Sequence, residues 1–277
     1  MLKFTDEHES FRALVRDVVQ KEIDPHADEW EHAGIFPAHS LFKKFGSLGL
    51  IGIEYGEEFG GAAADHSYTL IFGEEIGRAA SLGVAMALSV QTDMATPTLH
   101  QFGSTELKEK FLRGAISGDL VASVGISEAD AGSDVAGLRT RAVIDGDEWV
   151  INGSKMWITN GAQADWICLL CRTSDEGGFR GMSQIVVPTD SAGFSVSRTL
   201  DKLGMRASDT AELTFQDVRV PVEYVIGEIG RGFQQQMGQF QNERMIASYQ
   251  MVGAVELALT RTVAYLKERQ AFGAPLL

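Results

Sequence analysis

Only two cysteines and six histidines occur among 277 residues, and each scarcity removes a class of function. Cys168 and Cys171 share one apolar run, WICLLC, which is too little for a disulfide framework. A CxxC spacing can carry a redox pair or half a metal site. On a strand, however, residues three apart point to opposite faces, so two buried thiols are the expectation. None of the histidines stands in HExxH or a related spacing, which leaves zinc without an evident home. Basic charge is scarce too: 24 Lys and Arg face 38 Asp and Glu, for a net charge of -14. That balance argues against a nucleic-acid or anionic-membrane surface, which needs clustered cations. No apolar run approaches the roughly 18 residues of a membrane span, and the start MLKFTDEHES has the features of neither a signal peptide nor an Arg-rich transit peptide.

Familiar nucleotide and hydrolase signatures are missing as well. GEIGRG (227–232) has the wrong order for GxGxxG and opens a helix rather than following a strand, so a turn is expected there. In GDEWVINGSK six residues, not four, separate Gly146 from Gly153, which rules out a P-loop and suggests a hairpin. Ser133 lies outside any GxSxG elbow.

What is present falls into three blocks. From Thr5 to about Ser117 the pattern is helical, and Phe11, Leu14, Val15, Val18, Val19 and Ile23 make one stripe. Pro25 interrupts or bends that helix. Further helical runs are expected at about 38–47, 66–80, 84–102 and 104–116. From about Leu120 to Val225 the pattern is β, with short strands such as DWICLLC, SQIVVP and AELTFQDVRVP. Asn152-Gly153 and Asn160-Gly161 predict tight turns between strands. After Gly232 a single helix follows to about Phe272. In it Met237, Phe240, Arg244, Ala247, Met251, Ala254 and Ala258 recur at threes and fours, over some 37 residues or about 55 Å.

Two clusters carry chemistry. GISEADAGSD (125–134) offers unhindered amides and the hydroxyls of Ser127 and Ser133, and KMWITNG (155–161) adds Thr159 and a flat Trp157, the makings of a flavin-holding surface. Glu243, among Phe240, Met245, Ile246 and Ala247 and beside Arg244, is a candidate general base whose pKa is set by desolvation against a neighbouring cation. A solvated helical Glu, a packed strand tryptophan and a surface threonine are the plain readings of the same residues.

The order of these segments, with LGMRASDTAELTFQDVRVP (203–221), NER (242–244) and KERQAFG (267–273) following, resembles the acyl-CoA dehydrogenase family from Phe4 to Gly273. The Glu243-Arg244 pair ahead of an Ala-rich helix is most similar to its long-chain and isovaleryl-type branch. The resemblance implies an α+β multidomain fold. It places an N-terminal helical domain at 1–118 and a middle β-barrel or sheet domain at 119–228. The start of a C-terminal helical bundle follows at 229–277, represented by its first helix and otherwise truncated.

The resemblance also implies FAD as cofactor, held by Gly125, Ser127, Gly132 and Ser133, with Trp157 and Thr159 flanking the flavin ring. Arg269 and Phe272 match positions that reach the FAD of a neighbouring subunit. Ser133, Gln234 and Arg244 are implied substrate contacts, and Glu243 the base. The implied activity is α,β-dehydrogenation of an acyl-CoA to the trans-2-enoyl-CoA in fatty-acid or branched-chain degradation. Its implied partners are an electron-transferring flavoprotein and further copies of the chain, as a tetramer or dimer. Bacterial cytoplasm and mitochondrial matrix fit equally. Two other readings stay open: an inactive truncated paralogue that binds acyl-CoA or partner subunits, and an oxidase-like flavoprotein that passes electrons to oxygen.

Overall fold

A computed structural model describes residues 3–277. Met1 and Leu2, which open both the first expected domain and the segment read against a targeting peptide, lie outside the described residues. The chain begins as helices: α1 (Asp6–Glu22), α2 (Ala27–Ala33), α3 (Ala38–Ser47), α4 (His66–Ile76) and α5 (Leu82–Ser89). Thr5 and His8 close a capping box on α1, while Asp65 caps α4 and Ser81 caps α5, each satisfying amides that the first turn leaves free. As expected of Pro25, a 3-10 turn over Asp24–His26 ends the first helix. Val15, Val18, Val19 and Ile23 are buried, but Leu14, expected on the same stripe, faces solvent.

The run expected as one helix over 84–102 is divided. A π turn at Val90–Ala95 follows α5, and α6 (Pro97–Phe102) starts where Pro97 removes an amide donor. Likewise α7 (Thr105–Leu107) and α8 (Arg113–Ser117) flank a second π turn. Arg12 and Arg16 of α1 bind the fully buried Glu75 of α4 at 3.0 and 2.7 Å, clasping the first and fourth helices.

The middle of the chain forms β1 (Ala122–Gly125), β2 (Arg141–Asp145), β3 (Glu148–Thr159), β4 (Trp166–Arg172), β5 (Met182–Pro188), β6 (Phe194–Thr199), β7 (Thr210–Pro221) and β8 (Val225–Ile226). They make one sheet in the order β6-β7-β3-β2-β4-β5-β8, with β1 parallel to β4. β4 and β5 are buried on both faces, and Phe36, Phe42, Phe45, Trp149 and Trp166 lie in a core that helices and sheet share.

Asn152-Gly153 is not the expected turn. β3 runs straight through it, with a register shift between Ile151 and Gly153, and the tight turn lies at Gly146 between β2 and β3. Two features hold Asn152 in the ladder: its side chain exchanges hydrogen bonds with Asp217 at 2.9 Å, and Gly153 packs on Thr140 where a Cβ would clash. Asn160-Gly161 does form a turn, with Asn160 at φ 64°.

α9 (Gly232–Glu268) has the expected 37 residues and is followed by a small hairpin of β9 (Gln270–Ala271) and β10 (Ala274–Pro275). Its buried face differs from the expected apolar stripe. Gln235, Gln236, Gln239, Ile246, Gln250 and Gly253 turn inward, while Met251, Val255 and Leu259 face out. Each inward glutamine has a partner: Gln235 the Ile226 carbonyl, Gln236 the Gln184 amide, Gln239 the Met94 carbonyl, and Gln250 the Ser89 hydroxyl. Glycines allow the helices to approach, since a Cβ at Gly253 would overlap the Glu74 carbonyl and one at Gly77 the Gln250 carbonyl.

Candidate active site

A cleft of about 450 Å³ opens between the sheet, the first π turn and α9. One wall is apolar, from Met86, Val90 and Met94. The sheet side presents Ser127, Gly132, Ser133, Trp157 and Thr159, and α9 contributes Phe240 and Arg244. The sequence clusters 125–134 and 155–161 therefore meet in space, along with the helix that carries Glu243.

A bulge shapes the sheet side. The β3–β7 ladder shifts register between Lys155 and Ile158, and Trp157 sits there at φ 61° with its side chain 55% exposed. A positive φ is strained for a bulky residue, costs on the order of 1–3 kcal/mol and persists only where the surroundings enforce it. Here the Met156 amide donates to the Ser127 carbonyl at 2.9 Å, tying the bulge to the loop. Beneath it, the buried Lys155 ammonium donates to the Ile126 carbonyl and to the Glu128 carboxylate, each at 2.8 Å. Glu128 also accepts from the Arg139 and Thr140 amides at 2.6 and 2.9 Å. Burial alone would raise the Glu128 pKa; Lys155 and these amides outweigh it and hold the carboxyl below its ordinary range.

Glu243 lies on α9 between Phe240 and Arg244. Its carboxylate accepts from Gln239 Nε2 at 2.7 Å and Gln236 Nε2 at 3.3 Å. Desolvation pushes its pKa up to about 7 against the two amides, with Arg244 the smallest opposing influence. The setting is thus amide-lined rather than the apolar one expected, and Gln236, Gln239 and Gln184 are the residues sequence reasoning passed over. For Gln236 and Gln239 the signal was available in the run FQQQMGQFQ, where polar residues recur at helical spacing on one face, whereas Gln184 sits alone in the apolar strand β5. Asp93, on the π turn, is a second carboxyl with its pKa raised to about 7 by burial. It borders a separate small cavity with Glu54, His66 and Asn242.

Other expected contacts are placed elsewhere. Gly125 packs against Ile167 and Leu169 of β4 and does not border the cleft. Gln234 borders neighbouring surface clefts with Arg231. Arg269 follows the end of α9, 25 residues beyond Arg244 and so about 37 Å along the helix axis, and Phe272 is fully exposed in the terminal hairpin. Neither reaches the cleft of its own chain. The Asp130 carboxylate turns outward to Arg139 at 3.3 Å, away from the cleft. Cys168 and Cys171 are free, buried thiols, both pushed up to about 12 by burial. Among the described residues no group of His, Cys, Asp and Glu could hold a metal ion, and no helix is long and apolar enough to cross a membrane.

Comparison with known proteins gives this architecture a family. The acyl-CoA dehydrogenase N-terminal domain model matches residues 5–119, the middle domain 123–218 and the C-terminal domain 230–277. The chain belongs to the acyl-CoA dehydrogenase family. It is 39% identical over 277 residues to a probable acyl-CoA dehydrogenase, YngJ, of Bacillus subtilis, covering 99% of this chain and 72% of that protein. An acyl-CoA dehydrogenase structure from Geobacillus kaustophilus superposes with a TM-score of 0.93 at 38% identity, covering 99% of this chain and 72% of the other. A glutaryl-CoA dehydrogenase from Mycobacterium smegmatis, solved in complex with FADH2, gives a TM-score of 0.90 at 31% identity, covering 99% and 68%.

Members of this family are flavin-dependent enzymes, and the sheet side of the cleft suits such a group. A protruding indole at Trp157 offers a flat face, Gly132 has open space where a Cβ would sit, and hydroxyls line the floor.

Proposed function

We propose that this chain oxidises the α,β-carbon bond of an acyl-CoA thioester, with Glu243 as the base that takes the α-proton. The observation that carries this reading is a partly buried carboxylate with its pKa pushed up to about 7, set on the helix that walls the cleft. A base with a pKa near the working pH is ionised often enough to act and strong enough to accept a proton. Arg244, one residue on, presents a cation over the Phe240 ring at the cleft wall, suited to an anionic part of the substrate.

Ser127, Gly132, Ser133, Trp157 and Thr159 would hold FAD, with Ser133 also touching the substrate. FAD, when bound, supplies the acceptor for the hydride that leaves the β-carbon. Met86, Val90, Met94 and Phe240 keep water from the apolar side of the cleft, which favours an acyl chain there. Arg269 and Phe272, held far from this cleft, would serve the flavin of a second copy, consistent with a homo-oligomer. Gln234 and Arg231, at the mouth of α9, would meet the distal part of the substrate. An electron-transferring flavoprotein is the proposed electron partner.

Glu243→Gln tests the base. Turnover should fall by about 10²- to 10⁴-fold, with flavin content and thermal stability retained. Wild-type turnover in that variant overturns the assignment.

A further inference from the structure

We propose that Gln236 and Gln239 form an amide clamp that aims the Glu243 carboxylate and favours its charged form, making both of them positioning residues of the reaction. The proposal rests on Glu243 being the base, and it adds the residues that set its direction and charge state.

The geometry is specific. Gln239 Nε2 bridges two acceptors, Glu243 Oε1 at 2.7 Å and the Met94 carbonyl. Met94 lines the cleft, so this one amide links the carboxylate to the cleft's apolar wall. Gln236 Nε2 approaches the same Oε1 at 3.3 Å, and its own Oε1 accepts from Gln184 Nε2 of β5 at 2.7 Å. Gln184 and Gln236 are completely buried and Gln239 nearly so. Both donors converge on Oε1, which leaves Oε2 free of the clamp.

Burying three amides near a carboxylate costs desolvation, so an apolar helix face would pack more simply. What the amides supply is N–H density toward the charge. Hydrogen bonds donated to the ionised form favour it, and desolvation disfavours it. The two oppose each other at Glu243, and burial is the larger. Without the amides the carboxyl would be protonated, and inactive as a base, over more of the neutral range.

The charged and titratable groups that bear on Glu243 from the surrounding elements are few. Asp93 faces it from the π turn, Cys168 from β4, and Arg244 from α9 itself. His66 of α4 bonds to Glu54 and, more weakly, to Tyr249, six residues along the helix. Asp93 is the one whose titration overlaps, so the test must separate the two carboxyls.

The test is infrared titration of the carboxyl stretch in the purified full chain, with the Glu243 band assigned by its loss in Glu243→Gln and the Asp93 band by its loss in Asp93→Asn. The Glu243 midpoint should lie near 7 in the wild type. It should rise by about one pH unit in Gln239→Met, an apolar replacement of similar length, and by less in Gln236→Met. Gln239→Asn, which keeps the amide but shortens its reach, should shift the midpoint the same way. In the flavin-loaded protein the acid limb of kcat/KM should move by the same amount and the rate recover at higher pH. A midpoint unchanged in both Met variants, or a rate loss equal at every pH, overturns the clamp. If Glu243→Gln turns over normally, the base assignment fails instead, while the infrared midpoints still decide whether the clamp sets the ionisation.

Discussion

Lys155 of β3 and Glu128 of the cleft loop form a buried ion pair at 2.8 Å, directly beneath the bulge that carries Trp157. Two segments that the sequence separates by an excursion through β2 are thereby fixed to each other. The loop that lines the cleft is set by this pair and by the amides of Arg139 and Thr140 that complete the Glu128 shell.

Removing one partner leaves the other charge buried and alone, so Lys155→Met or Glu128→Gln should each cost about 3–5 kcal/mol in urea unfolding. The double variant should recover part of that loss. Because the Glu128 carboxyl sits below its ordinary value of 4.5 in the folded protein, its contribution is full above that pH. It is lost as pH falls through the folded value. Acid unfolding curves of wild type and double variant should therefore converge below pH 4.5, and parallel curves would refute the assignment.

Trp157 combines a strained backbone with an exposed ring, so stability and flavin binding should respond in opposite directions. Trp157→Gly should raise the stability of flavin-free protein by about 1 kcal/mol, since glycine takes the positive φ without strain. The same variant should release flavin more readily, as read by recovery of free-flavin fluorescence on dilution.

Gly253 marks a close approach of α9 to α4, where a Cβ would overlap the Glu74 carbonyl. Gly253→Ala should cost about 1–3 kcal/mol through overpacking. Faster hydrogen exchange confined to α4 and α9, with the sheet unaffected, would locate the damage. Exchange that accelerates uniformly would point to a different cause.

Cys168 and Cys171 should be silent toward thiol reagents in the native protein at pH 8, because burial holds both thiols near 12 and the thiolate is the reactive form. Both should react after unfolding in guanidinium, and native reactivity of either would contradict its burial.

The three-block order, the bounds of α3 and the length of α9 were legible because each rests on a long period or a local break. So was the meeting of 125–134 with 155–161. Asn152-Gly153 misled because a favoured turn dipeptide also suits a bulge, and the outcome was decided by Asp217 and Thr140, distant in sequence. The orientation of α9 misled for a related reason. Apolar periodicity predicts the buried face only when burial is driven by apolar area, and here the sheet and π turn present carbonyls and an amide that glutamine satisfies. The helical run at 84–102 concealed a π turn, since neither a hydrophobic pattern nor a single proline reveals one extra residue per turn.

The glutamine face of α9 also limits how that helix can be misplaced. An apolar seam tolerates sliding by a turn or a small rotation at modest cost, because one methyl contact substitutes for another. Gln235, Gln236, Gln239 and Gln250 each need a different acceptor or donor on a different element, and a slip would strand all four amides in the interior together. Only one rotation and one height give all four side chains a hydrogen-bond partner at once, and that setting holds Glu243 on the helix that walls the cleft.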